Sequence, residues 1–227
     1  MMGVFSKCRN LISNNQLFPQ YNGTLAIRGT ISRKTDNFDY NNISLFLDSN
    51  FHQVIYPINN NDLNFIAIMK YNLNNKDLEN YSLFQENHFI KKVLSKFPKN
   101  NNNILENIKD LKIFPIFVSK DFYHYQNDNI HIIGDAFFTF PPSLAQGASQ
   151  SIETAYELFE SIEKNNEKSF LRERIKKTKM VNNRSKFNQF AFHLSNPLNI
   201  MARNILLKML VKNKKFLESY LGKVYRN

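Results

Sequence analysis

His131-Ile-Ile-Gly-Asp-Ala-Phe-Phe-Thr-Phe-Pro-Pro-Ser-Leu-Ala-Gln-Gly-Ala-Ser-Gln150 is the stretch of this 227-residue chain that decides its reading. The apolar run Asn129–Ile133 ahead of the turn fits a short buried strand. Gly134 then lets the backbone turn tightly. Asp135 follows at the carboxyl end of that strand, where ligands bind in open α/β sheets, and its carboxylate can accept hydrogen bonds from sugar-type hydroxyls. Pro141-Pro142 stiffens an extended wall. Gly147 permits a flat ligand to approach. The N–H groups of Ala148 and Ser149 open outward at a helix start, as donors to a developing anion. Spacing alone fits a plain strand–loop–helix connection equally well, with Asp135 or Ser149 as a cap.

Outward from that segment the two sides differ. Downstream, Ile152, Ala155, Tyr156, Phe159 and Ile162 recur at helical spacing, with Glu153, Glu157, Glu160 and Glu163 on other faces, which predicts an amphipathic helix. A polar helix over 166–190 follows, then Pro197 and a basic helical stretch over 198–224. Upstream, the pattern is β. Gly23–Gly29, Asn42–Leu47, Phe51–Pro57 and Leu63–Lys70 are strand candidates separated by turn residues, consistent with an antiparallel meander. Ile90, Val93, Leu94 and Phe97 are spaced for one helix face, Asn100–Asn103 reads as a loop, and Ile113–Val118 fits a buried strand.

Composition bounds the function classes. The 42% hydrophobic and 22% charged content is that of a globular protein. Cys8 is the sole cysteine, which excludes a disulfide framework within the chain, and His52, His88, His124, His131 and His193 show no metal-ligand spacing. With no long apolar run and no leader-like start, a soluble cytoplasmic protein is expected. The net charge of +11 is uneven: residues 161–227 hold 16 basic and 4 acidic side chains. Such a tail suits an anionic partner, but 34 Asn, with abundant Lys, Ile, Phe and Tyr, also point to AT-rich codon usage. No aromatic-interleaved nucleic-acid motif accompanies the charge, so no nucleic acid is expected as a partner.

The 131–155 segment resembles the second FAD-binding motif of single-component flavoprotein aromatic hydroxylases, the family of p-hydroxybenzoate, salicylate and ubiquinone-pathway hydroxylases. The family pattern is Gly-Asp-Ala-Ala-His, a few residues, Pro, then a Gly opening a helix; Gly134, Asp135, Ala136, Pro142 and Gly147 match in order and spacing. Ala145–Ala155 resembles the salicylate-hydroxylase branch. Gly23–Gly29, Tyr56-Pro57 with Leu63–Ala67, Arg172–Ser185 and Phe192–Asn204 are similar to further family segments. The resemblance implies an α+β, partial p-hydroxybenzoate-hydroxylase-like fold. It would comprise a substrate-domain β-sheet with helical insert at 1–125, a remnant of the FAD-binding domain at 126–164 and a basic helical region at 165–227. The implied cofactor is FAD, with NAD(P)H as reductant and an aromatic or quinone-precursor ring as substrate.

By position, the resemblance gives Asp135 to the ribityl arm and counts Gly134 and Ala136 as cofactor-binding beside it. Pro142 would line the ring at the oxygen-reacting carbon, the catalytic position. Gly147, Ala148 and Ser149 would face the pyrimidine edge. Arg28 and Tyr56 are the weaker substrate candidates, for each of which an ordinary strand residue is the default reading. Two departures stand out. Phe137-Phe138 replaces the family's Ala-His. Gly3–Arg9 resembles the middle of the family's Asp-Gly motif, with Met2 in the place of the Asp. No Gly-x-Gly-x-x-Gly unit for the pyrophosphate is present. The chain is therefore expected to be the C-terminal part of such an enzyme. The alternatives are a catalytically inactive fragment, or a basic module binding a membrane or nucleic acid. Residues 198–224 are the candidate contact with the inner face of a membrane.

Overall fold

The computed structural model describes residues 3–7, 18–32, 42–98, 102–120 and 130–225. Cys8, Arg9, His124 and Asn129, with the sequence readings that fall on them, lie outside the described residues. Two compact units divide the chain. One comprises Met1–Asn22, Phe117–Ala191 and Met201–Asn227, the other Gly23–Ile116 and Phe192–Ile200.

The second unit is built on a five-stranded sheet with strands in the order β2-β3-β4-β1-β5. These are β1 (Gln20–Ser32), β2 (Ser44–Asp48), β3 (Phe51–Pro57), β4 (Asp62–Lys70) and β5 (Ile108–Val118). The pairs β2–β3, β3–β4 and β1–β4 are antiparallel. Period-two patterning sends Leu25, Ile27 and Ile31 of β1, Leu63, Phe65 and Ala67 of β4, and Phe51 and Ile55 of β3 to one face, all buried. Each such side chain contributes roughly 1.5–3 kcal/mol on leaving water. Short helices α1 (Asn75–Glu79), α2 (Asn87–Leu94) and α3 (Asn102–Glu106) follow the meander. Asn74 and Asp77 close a capping box on α1. The stripe expected on 90–97 is present: Val93 and Phe97 are buried in the core, Ile90 and Leu94 pack against it, and the Phe97 ring meets Phe51 edge-on at 5.0 Å.

Three local expectations need correction. Ile113–Val118 is a strand but not a buried one; only Ile113 is buried, because β5 is an edge, the place where Pro115 costs no ladder bond. Asn102 of the supposed Asn100–Asn103 loop already starts α3. Residues 130–133 are irregular rather than strand. An apolar tetrapeptide forms a strand only where a neighbouring strand takes up its N–H and C=O groups, and none of the described strands pairs with it.

In the first unit, α4 (Gly147–Glu163) and α5 (Glu167–Phe192) lie side by side, followed by α6 (Pro197–Leu210) with its proline at the first helical position and α7 (Lys214–Leu217). The buried face of α4 is polar: Gln150, Thr154 and Ser161 point inward. Gln150 and Thr154 lie beside Arg174 and Thr178 of α5. The Arg174 guanidinium, 2% exposed, pairs with Glu157 at 3.2 Å and Glu153 at 3.5 Å, and donates to Gln150; Lys177 also pairs with Glu153. The end of the chain docks on α5, where Tyr220 donates to Asn188 at 2.8 Å and Arg184 donates to the Ser219 and Tyr220 carbonyls. No helix among the described residues is long and apolar enough to cross a membrane.

Candidate functional site

Gly134, Asp135 and Ala136 form a single 3-10 turn whose Gly134 carbonyl accepts from the N–H groups of both Phe137 and Phe138. Gly134 has φ +62°, where a side chain is strained, and a Cβ there would stand 3.1 Å from Ser151 Oγ on α4. The glycine thus lets the turn press against the first turns of the helix. Downstream, Thr139 ties the loop to Ser119 through reciprocal bonds of 3.0 and 3.1 Å. Pro142 opens a second 3-10 turn, Pro142–Leu144, and is exposed; Ser143 donates to the Ser185 carbonyl. Ala145 then takes φ +53°, an uncommon left-handed conformation for a residue with a side chain. It redirects the chain into α4.

This path sets a carboxylate at a helix mouth. A methyl group built on Gly147 would stand 3.9 Å from Asp135 Oδ1, so the absence of a side chain at 147 leaves a gap between them. Asp135 is exposed, yet the surrounding protein removes enough water to raise its carboxyl above the usual carboxylate range. No donor among the described residues reaches that carboxylate. Gln146, the residue ahead of α4, provides no side-chain cap, and Ala148 and Ser149 are exposed. Gln150 N–H bonds to the Gln146 carbonyl, while the N–H groups of Gly147, Ala148 and Ser149 have no acceptor among the described residues and sit at the positive end of the helix dipole. An acceptor-only group and a set of free donors thus share one small opening. A ligand offering hydroxyls to the first and an anionic edge to the second would satisfy both. The bulky Phe137-Phe138 pair does not fill this opening; both rings are buried, beside Gln150, Thr154 and Thr178.

Arg28 and Tyr56 lie in the sheet unit. In register, Arg28 stands opposite Ile66 and Tyr56 opposite Asn64. Ile66 and Asn64 are two residues apart on β4, so all four share the sheet face turned away from the apolar core. Asn64 had no sequence signal in a chain with 34 Asn, yet its buried Nδ2 has no hydrogen-bond partner. It is a donor available to a ligand on that face. On the same face His52 Nδ1 and His193 Nε2 stand 2.8 Å apart. Burial, then the neighbouring imidazole, pushes His52 down to about 3; burial, then Lys70, pushes His193 down to about 4. The pair is neutral at ordinary pH, one ring donating and the other accepting, and it ties 192–200 to the sheet. A separate open groove of about 620 Å³ between α4 and α5 is lined by Glu157, Glu160, Glu173, Lys164, Lys176 and Lys177. Its mixed charges converge on no common point.

The fold matches part of that of FAD-dependent aromatic hydroxylases. HpxO of Klebsiella pneumoniae, in a structure with FAD and uric acid, superposes with a TM-score of 0.76 over 98% of this chain and 58% of its own, at 12% identity. The 2,6-dihydroxypyridine-3-hydroxylase of Arthrobacter nicotinovorans gives 0.70 over 84% of this chain and 56% of its own, at 17% identity. A salicylate hydroxylase in complex with its substrate gives 0.66 over 92% and 58%, at 17% identity. The chain thus spans less than two thirds of the length of these structures. No protein-family model and no curated protein matches it.

Proposed function

We propose that the chain forms part of an FAD-dependent monooxygenase that hydroxylates an aromatic or quinone-precursor ring at the expense of NAD(P)H and O2. The observation that carries this reading is the unpartnered Asp135 carboxylate at the open mouth of α4, 3.9 Å from where a side chain at Gly147 would begin. Asp135 accepts from the ribityl hydroxyls, with Gly134 and Ala136 shaping the turn that holds it. The N–H groups of Gly147, Ala148 and Ser149 stabilise negative charge at the pyrimidine edge. Pro142 forms a rigid wall along the ring. Bound FAD would supply the two-electron redox chemistry and oxygen activation that no side chain provides. In the sheet unit, Arg28, Tyr56 and Asn64 supply a cation, a hydroxyl and an amide donor for a substrate with anionic or carbonyl oxygens. A lone cysteine suits the reducing cytoplasm.

A second reading, a chain that is inactive alone, is favoured by the absence of any Gly-x-Gly-x-x-Gly unit within these residues. Adding FAD to the purified chain and recording the retained flavin absorption band separates the two. A yellow protein, made colourless by Asp135→Ala, supports the first; a colourless wild-type chain that takes up no FAD supports the second. Contact with an anionic membrane narrows to α6 and the residues just past it, where Met201, Ile205, Leu206 and Met209 are exposed beside Lys208 and Lys212.

A further inference from the structure

His52 and His193 meet from distant parts of the chain and take no part in the contacts proposed above. His52 lies on β3 inside the sheet, 3% exposed, and its Nδ1 stands 2.8 Å from His193 Nε2. One proton serves both nitrogens while the pair is neutral. The bond survives one added proton, but it then holds a buried cation; a second proton leaves two donors facing each other. Nothing around the pair favours either charged state. Across the strands Leu47 and Ile68 stand opposite His52, and both are apolar. Lys70, two residues beyond Ile68, adds a like charge beside His193. The other charged groups on this sheet face are Arg28, opposite Ile66, and Asp62, roughly 20 Å from Ile68 along β4. Tyr56 is the remaining titratable side chain there, and residues 192–200 bring none besides His193. No carboxylate among the described residues acts on either ring.

We infer that residues 192–200 form an acid-released strap on this sheet face, latched by the neutral His52–His193 pair. The inference does not depend on the flavin reading. Apart from the pair, the strap is lightly held. Phe192, His193 and Leu194 are half-buried, while residues 195–199 are exposed. The Asn196 side chain accepts from the Leu198 and Asn199 N–H groups inside the segment, capping α6 rather than bonding to the sheet. The Phe192 ring meets His52 edge-on at 5.2 Å, so it stands or leaves with the latch. Such segments open at a lower free energy than the core beneath them. In place, His52 is held down to about 3 and His193 to about 4; released into water, each returns towards the ordinary 6.5. The released form therefore binds more protons throughout that interval, and falling pH favours it. Between pH 7 and pH 5 the gain is roughly twentyfold for each histidine freed. Arg28, Tyr56 and Asn64 share the face that the strap leaves, so the latch makes exposure of that face depend on pH.

Hydrogen–deuterium exchange of the 227-residue chain, read by mass spectrometry at pH 7 and pH 5 and corrected for the intrinsic rate at each pH, tests the strap. The opening constant of peptides covering 192–200 should rise at least tenfold at pH 5, while peptides from the buried part of β4 keep theirs. In the double variant His52→Asn with His193→Gln, an amide stands where each facing nitrogen was and neither side chain titrates. That variant should open equally at both pH values. A wild-type strap with the same opening constant at pH 7 and pH 5 overturns the inference, as does a folded double variant that keeps the full pH response. Should the double variant lose the wild-type circular dichroism, the imidazole resonances of His52 and His193 in the wild-type chain decide by NMR titration. Both titrating well below 6.5, together with the tenfold rise, support the latch; either one titrating at or above 6.5 overturns it.

Discussion

Asp135 is kept at a thermodynamic disadvantage. Its surroundings disfavour the charged form and no described residue donates to it, so between the ordinary carboxylate pKa of 3.8 and its raised value the folded state holds more protons than the unfolded one. Stability therefore falls as pH rises through that window. Asp135→Asn should make the chain more stable than wild type at neutral pH, with the difference vanishing below about pH 4, as read from urea midpoints at several pH values. A carboxylate retained against stability is the pattern expected of a functional group. This residue was legible from sequence because Gly134, Pro142 and Gly147 surround it at recognisable spacing. Asn64 was not: its significance comes from a buried amide nitrogen without a partner, which only packing reveals.

Among elements, period and environment were legible to different degrees. β3 runs from Phe51 to Pro57 as its alternation indicates, and α4 follows from the spacing of Ile152 to Ile162. Which face of α4 is buried did not follow, because the deciding partner, Arg174, lies on the next helix. Arg174 holds Glu153, Glu157 and Gln150 on the inward face, which leaves the apolar stripe outward. Arg174→Ala should cost about 3 kcal/mol by urea denaturation, since Glu153 and Glu157 lose their buried cation. Arg174→Met should cost less, because it refills the apolar stem of the site. The misread strand at 130–133 has a related origin. A short apolar run announces burial, but a strand also needs a ladder partner.

At the scale of the molecule, the concentrated positive charge of residues 161–227 is partly spent internally: Arg174 and Lys177 hold α4 on α5, and Arg184 holds the end of the chain. Lys164 and Lys176 pair with Glu160 and Glu173 at the surface. The exposed α4 stripe and the helix mouth at Gly147 lie on the same element as the proposed flavin contacts. The most direct test is the FAD dissociation constant of the purified chain, measured by flavin fluorescence for wild type and Asp135→Ala. Loss of charge-assisted hydrogen bonds should weaken binding by about 10- to 100-fold while the circular dichroism stays that of wild type. An unchanged dissociation constant would mean that Asp135 does not hold the cofactor.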